Sequence, residues 1–182
     1  MRRFLALAAV VALGLSGCGD KHAFNHEAET EGEYVDVGNL VYQVQMSRFL
    51  NPSDREDREY LTGLPAGVSP TLPGDETWFG VWMRVKNYTN ETIQPAEDIS
   101  VLDTEENRYE PVPLAESNPF AYNPRPLGAD QVLPLPDTAA ASGPIQGSLI
   151  LYRLKTDSLQ NRPLKLEIEK PGSETAEIDL DL

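Results

Sequence analysis

The chain has 182 residues, with 29 acidic and 15 basic side chains, a formal net charge of −14 at pH 7 and one cysteine. So acidic a surface repels nucleic acid and anionic headgroups, and one thiol cannot close a disulfide within the chain. Stability has to come from a core, and a domain of about 145 residues can bury nearly 70% of its unfolded surface.

Arg2 and Arg3 precede FLALAAVVALGL, residues 4–15, an apolar run without charge or proline. That is the layout of a secretory leader. As a helix it would reach about 18 Å, short of a hydrocarbon core of roughly 30 Å, so a permanent span is not expected. Leu15-Ser16-Gly17-Cys18 follows and resembles the bacterial lipobox, in which the thiol takes a diacylglyceryl group and the leader is cut before the cysteine. The resemblance implies a signal peptide over 1–17 and acyl chains on Cys18, palmitate among them, that hold the protein to the extracytoplasmic face of a membrane. Cleavage would remove two basic residues and no acid, taking the charge to −16.

Residues 18–36 carry six acids and few apolar side chains, and read as a lipidated flexible tether with a reach of roughly 25 Å. Both histidines, His22 and His26, fall in it. From Val37 the pattern turns to period two, the mark of half-buried strands. Leu40, Tyr42, Val44 and Met46 share one face, with Gln43, Gln45 and Ser47 on the other. Pro52-Ser53-Asp54-Arg55-Glu56 predicts one short helix, with Ser53 and Glu56 at capping-box spacing. WFGVWMRVKN puts Phe79, Val81, Met83 and Val85 on one side and Trp78 and Trp82 on the other, so this strand should be central and covered on both faces. DISVLD, RYEPV, GSLILYRL, PLKLEIEK and AEIDLDL supply the remaining strands, about seven in all. Asp179 and Asp181 alternate with apolar residues as an edge strand would have them.

Two connections, 51–77 and 110–145, exceed ordinary loop length, and the second holds eight of the fifteen prolines. The expected architecture is all-β: an antiparallel, immunoglobulin-like β-sandwich over 37–182 with one helix and two long loops.

Val85-Lys86-Asn87 closes one strand, Ile99, Val101, Asp103 and Tyr109 mark a strand and acidic turn, and Gly147-Ser148-Leu149-Ile150-Leu151-Tyr152 forms a glycine-bearing strand. In these motifs residues 37–182 resemble the telokin-like, immunoglobulin-like domain of unknown function found behind lipoprotein leaders in many bacteria. The resemblance implies an extracytoplasmic β-sandwich and no catalytic residues. The long 51–77 insertion and the proline-rich connection depart from it.

No His or Cys follows residue 26, so the body expected to fold lacks the parts of a Ser-His-Asp triad, a Cys-His pair or a histidine zinc centre. Asp103, Glu105 and Glu106 suggest a calcium loop but lack its glycine and distal glutamate, and a polar turn explains them better. No metal, cofactor or catalytic residue is expected. Trp78 and Trp82 form either a stacking platform or buried packing, and Phe120, Tyr122 and Arg125 in NPFAYNPRPLG either a peptide-binding loop or a strap over the sandwich. These five are the candidate contact residues. The expected function is a non-catalytic binding module for an envelope protein or glycan, the alternatives being a carboxylate-dependent hydrolase or a structural spacer.

Overall fold

A computed structural model describes residues 25–181. Its strands are β1 (Glu27–Ala28), β2 (Tyr34–Val37), β3 (Leu40–Leu50), β4 (Glu76–Asn87), β5 (Asp98–Leu102), β6 (Arg108–Tyr109), β7 (Pro111–Val112), β8 (Val132–Leu133), β9 (Ser148–Lys155), β10 (Leu164–Glu169) and β11 (Ala176–Leu180). Sheet A runs β1-β11-β10-β5-β6 and sheet B runs β2-β3-β4-β9-β7, with β8 also on β4. Every pair is antiparallel except β1 with β11. The expected all-β sandwich is what forms. The strands outnumber the seven expected because β1 and most of β2 lie in the segment read as tether, β8 is a two-residue piece of the proline-rich connection too short to show an alternation, and RYEPV divides into β6 and β7. Helix is limited to α1 (Arg55–Tyr60), α2 (Ala139–Ser142) and a 3-10 turn at Thr156–Gln160. No helix among the described residues is long and apolar enough to cross a membrane.

The main core lies between the sheets. Leu40, Tyr42, Val44, Phe79, Val81, Met83, Val85, Ile150, Tyr152 and Leu154 of sheet B meet Ile99, Val101, Leu164, Leu166, Ile168, Ile178 and Leu180 of sheet A. Three tyrosines tie this core to the chain entering β5. The Tyr42 hydroxyl accepts from the Ala96 amide at 2.8 Å, Tyr122 donates to the Ala96 carbonyl at 2.9 Å, and Tyr152 donates to the Ile99 carbonyl at 2.9 Å. Burial pushes the Tyr42 phenol up to about 12. Each ring thus fills volume while its hydroxyl satisfies a backbone group that a buried turn would leave unpaired.

Several sequence expectations change. The acidic segment up to Asp36 is not all tether, because β1 pairs with β11 and β2 pairs with β3. Its acids and its histidine have structural partners. The His26 ring bonds the Asp36 carbonyl at 2.8 Å and the Glu174 carboxylate at 2.9 Å. Glu31 accepts from the Ser47 amide at 3.0 Å, from the Ser47 hydroxyl and from the Asp181 amide at 3.3 Å. Burial nevertheless holds the Glu31 carboxyl above its usual range. So His26 belongs to the folded domain, and β11 is not an edge strand, since β1 lies outside it.

In β3 the register slips between Val44 and Met46, a β-bulge at Gln45. Met46 therefore faces outward and is 40% exposed while Ser47 is buried, the reverse of simple alternation. RYEPV is two strands rather than one: β6 pairs with β5 in sheet A, then the chain crosses at Glu110 and β7 pairs with β9 in sheet B. The helix cap is Asp54, not Ser53: its carboxylate accepts from the Glu56 amide at 2.8 Å and the Asp57 amide at 3.3 Å.

Candidate functional site

The outward face of sheet B is covered at one end and open at the other. Along β4 the outward side chains are Trp78, Gly80, Trp82, Arg84 and Lys86, so the face changes from apolar to basic within one strand. Its apolar half is covered. Trp78 and Trp82, with Leu50 of β3 and Leu149 and Leu151 of β9, form a second core beneath Tyr60 of α1, Leu61 at its C-terminal cap, and Phe120 and Ile145 of the proline-rich connection. Trp82 lies over Gly80, where a Cβ would come within 2.8 Å of the ring. Tyr60 meets Trp82 edge-on with centroids 5.0 Å apart, Phe120 meets Tyr60 at 4.8 Å, and the Arg48 guanidinium stands 5.4 Å from the Trp82 centroid.

Hydrogen bonds pin the cover. Trp78 Nε1 donates to the Pro70 carbonyl at 2.7 Å. Asn118, 2% exposed, donates to the carbonyls of Tyr60 at 3.0 Å and Thr62 at 2.9 Å and accepts from the Phe120 amide at 2.8 Å, so it staples the two long connections together. Asp57 accepts from Arg48 at 2.6 Å and from the Asn51 amide at 2.7 Å. Burial works to raise the Asp57 carboxyl, but Arg48 and Asn51 together hold it below its usual range.

Four of the five contact residues expected from sequence are therefore turned inward. Trp78 and Trp82 are 1% and 0% exposed, Phe120 packs on the second core, and Tyr122 packs on the first. Neither tryptophan is a stacking platform in this fold. Only Arg125 is exposed, on the rim of a cleft of about 210 Å³ with Glu116, Asn118 and Asn123. Cys18, Leu15, Ser16 and Gly17 lie outside the described residues.

The basic half of the same face is open. Cross-strand register places Tyr34, Gln43 and Arg84 in one row, and Asp36, Val41, Lys86 and Val132 in the next. Tyr34 is 58% and Tyr88 47% exposed, and the Lys86 ammonium stands 4.1 Å from the Tyr88 centroid. Arg84 is exposed and makes no ion pair among the described residues. A groove of about 180 Å³ runs between Tyr34, Gln43, Arg84, Lys86 and Tyr88, and a second of about 140 Å³ continues past Arg84 between Val132, Pro134 and Gln146. No residue lining either groove is a carboxylate. Asp36, the nearest acid in register, accepts from the Asn25 amide at 3.2 Å instead. Following the alternation of WFGVWMRVKN two steps beyond Trp82 would have marked Arg84 and Lys86. The partners Tyr34 and Gln43 come from the segment read as tether and from a neighbouring strand, and only folding brings them alongside.

The remaining charged clusters are engaged internally. Asp103 accepts from the Glu105 and Asn107 amides at 3.0 Å and from the Asn107 and Asn161 side chains, which organises the turn after β5. Asn87, ending the Val85-Lys86-Asn87 motif, donates to the carbonyls of Glu91, Leu127 and Gly128 and accepts from the Thr89 amide, closing the turn after β4. Arg108 gathers Asp98, Glu110, Glu167 and Glu169 on the outer face of sheet A. A cleft of about 560 Å³ opens beside α1 and is lined by three acids, of which Asp54 caps the helix, Asp57 is held by Arg48 and Glu56 is exposed on the helix surface. Among the described residues no group of three or more His, Cys, Asp or Glu is placed to hold a metal ion.

No known family pattern matches the chain, and no curated protein sequence does. Solved structures do. The yjhA protein from Bacillus subtilis aligns with a TM-score of 0.55 at 12% identity, covering 84% of this chain and 99% of its own. A conserved hypothetical protein from Bacillus anthracis gives 0.49 at 10% identity, over 81% of this chain and 94% of that one. An uncharacterized beta-sandwich protein from Clostridium difficile gives 0.45 at 9%, over 90% and 99%. At such identities the likeness speaks to fold alone, and that fold is the all-β sandwich.

Proposed function

We propose that this chain is a lipid-anchored, extracytoplasmic lipoprotein that binds a partner rather than catalysing a reaction, with the open half of sheet B as its contact face. One observation carries the choice of face. A domain whose described residues hold 28 acids against 12 bases keeps two adjoining grooves free of carboxylates, and sets Arg84, Lys86 and two exposed tyrosines around them. Arginine and tyrosine side chains that a partner desolvates on seating are the usual anchors of recognition surfaces. Binding is favoured over carboxylate hydrolysis because that chemistry needs one acid with a raised pKa facing a second across a cleft, whereas Asp57, in the cleft beside α1, is held low, and Glu31 and Glu167, which burial raises, are bonded to Ser47 and Arg108 and line neither that cleft nor the two grooves.

The anchor rests on the lipobox-like Leu15-Ser16-Gly17-Cys18 and on the resemblance to lipoprotein-borne domains. Asn25 lies seven positions after Cys18, a reach of at most about 25 Å, so the domain would be held close to the bilayer. Confinement raises its effective concentration toward an envelope protein or glycan.

Two measurements in cells test this. Cys18→Ala should move the chain from the membrane to the soluble fraction; a variant that still sediments with membranes removes the anchor. A photo-crosslinking residue at Val41 should capture a partner while the same residue at Arg125 does not. Capture at Arg125 alone, or at neither site, removes the assigned face.

A further inference from the structure

We infer that the ligand of this face is a carboxylate-bearing saccharide, seated with sugar rings against Tyr34 and Tyr88 and a carboxylate on Arg84. The inference rests on the contact-face reading above and goes further by naming the ligand chemistry.

Three features narrow the class. First, the sign of the charge: Arg84 and Lys86 meet no carboxylate in either groove, so an anionic ligand completes pairings the fold leaves open. A guanidinium fork takes a planar carboxylate through two parallel N–H donors, and Arg84 stands where the two grooves meet, reachable from both. Second, the backbone is closed to the ligand. The face is carried by β3 and β4, interior strands of sheet B whose amides and carbonyls pair with neighbours on both sides, and by the edge strand β2, whose Asp36 amide donates to the Asn25 carbonyl at 2.7 Å and whose Tyr34 and Asp36 carbonyls accept from the Asn25 side chain and the His26 ring, so a peptide finds no open strand to extend. Recognition has to run through side chains, here a guanidinium, an ammonium, the Gln43 amide and two phenol rings. Third, the rings stand exposed beside shallow grooves and are not sunk in a deep apolar pocket. That suits a flat molecule with one C–H face and polar edges. A uronate ring has that face and carries the carboxylate on the same unit. The two grooves together approach the roughly 300 Å³ at the lower end of small-molecule sites, which fits a short stretch of chain.

The test is an NMR titration of the soluble form of the chain with trigalacturonate, with maltotriose and hexaglutamate as comparisons, up to about 10 mM, the range where weak saccharide binding is measured. Trigalacturonate should shift the Arg84 side chain and the Tyr34 and Tyr88 rings while leaving Arg125 in place. Arg84→Gln should weaken binding about tenfold or more, as expected on losing a charge-assisted bidentate contact. Tyr34→Ala should weaken it by about three- to tenfold through the lost ring contact. Both positions are exposed, so unchanged thermal unfolding verifies that the variants fold.

Equal shifts with maltotriose would show that charge plays no part and overturn the anionic class. Tighter binding of hexaglutamate at the same residues would overturn it in favour of an acidic peptide. No shift with trigalacturonate would overturn it outright. In the last two cases the contact face itself is judged separately, by capture at Val41.

Discussion

The outer face of sheet B is built twice over from the same strands and turns out differently at its two ends. Around Trp78 and Trp82 two long connections fold down, bring Tyr60 and Phe120 onto the rings and are stapled together by Asn118. Around Arg84 and Lys86 no long connection among the described residues folds over the face, and Tyr34 and Tyr88 are 58% and 47% exposed. The apolar half has to be covered because so much ring surface would be expensive to leave wet, while the basic half gains nothing from cover, since burying two cations without a carboxylate beside them would cost far more than it returns. A loop's length therefore does not tell its role: here the long loops act as lids on a core, and the likelier-looking contact residues were the lids' own fastenings.

If that contrast holds, Trp82→Ala should be the most damaging single change, about 3–5 kcal/mol by chemical denaturation, because it empties the centre of the second core. Arg84→Gln should stay within about 0.5 kcal/mol of the parent. Comparable losses at the two sites would break the comparison. Asn118→Ala should cost about 2 kcal/mol, since two carbonyls and one amide lose a buried partner. It should also speed amide exchange in residues 51–77 and 110–121 while leaving β2–β4 protected. Uniform acceleration across the sandwich would mean the cover is not a separable unit.

The smallest effect is on pH dependence. The folded-state pKa of Asp57 is lowered, so its contribution to stability is fully present above the ordinary value of 3.8 and is lost as pH falls through the lower folded value. Asp57→Asn should flatten that part of the acid limb of a stability–pH curve. An unchanged limb would show that the Arg48–Asp57 pair does not tie α1 to the covered half.

The strands with clean alternation were legible. PLKLEIEK and WFGVWMRVKN form β10 and β4 with the faces their patterns predict, and a covered strand bearing two tryptophans is what β4 proves to be. Three things were not legible, each for a physical reason. The bulge at Gln45 is an extra residue in a ladder, visible only when a partner strand sets the register. The strand character of Tyr34–Val37 is masked by neighbouring acids, whose partners, such as Ser47 and Asp181 for Glu31, are distant in sequence. The candidate site joins β2, β3, β4 and β8, and no local pattern records which side chains will be neighbours across strands.

By itself the sequence determined the class of fold and the two faces of its long strands, because period two and the sheet's pleat are one geometry. The proposed anchor rests on the sequence as well, since a leader-like run and a lipobox-like motif are read by their linear order. Only the tertiary structure decided which aromatics are core and which are surface. Burial depends on what the rest of the chain lays over a residue: Trp82 is covered by Tyr60 and Phe120, distant in sequence, whereas Tyr34 stays 58% exposed.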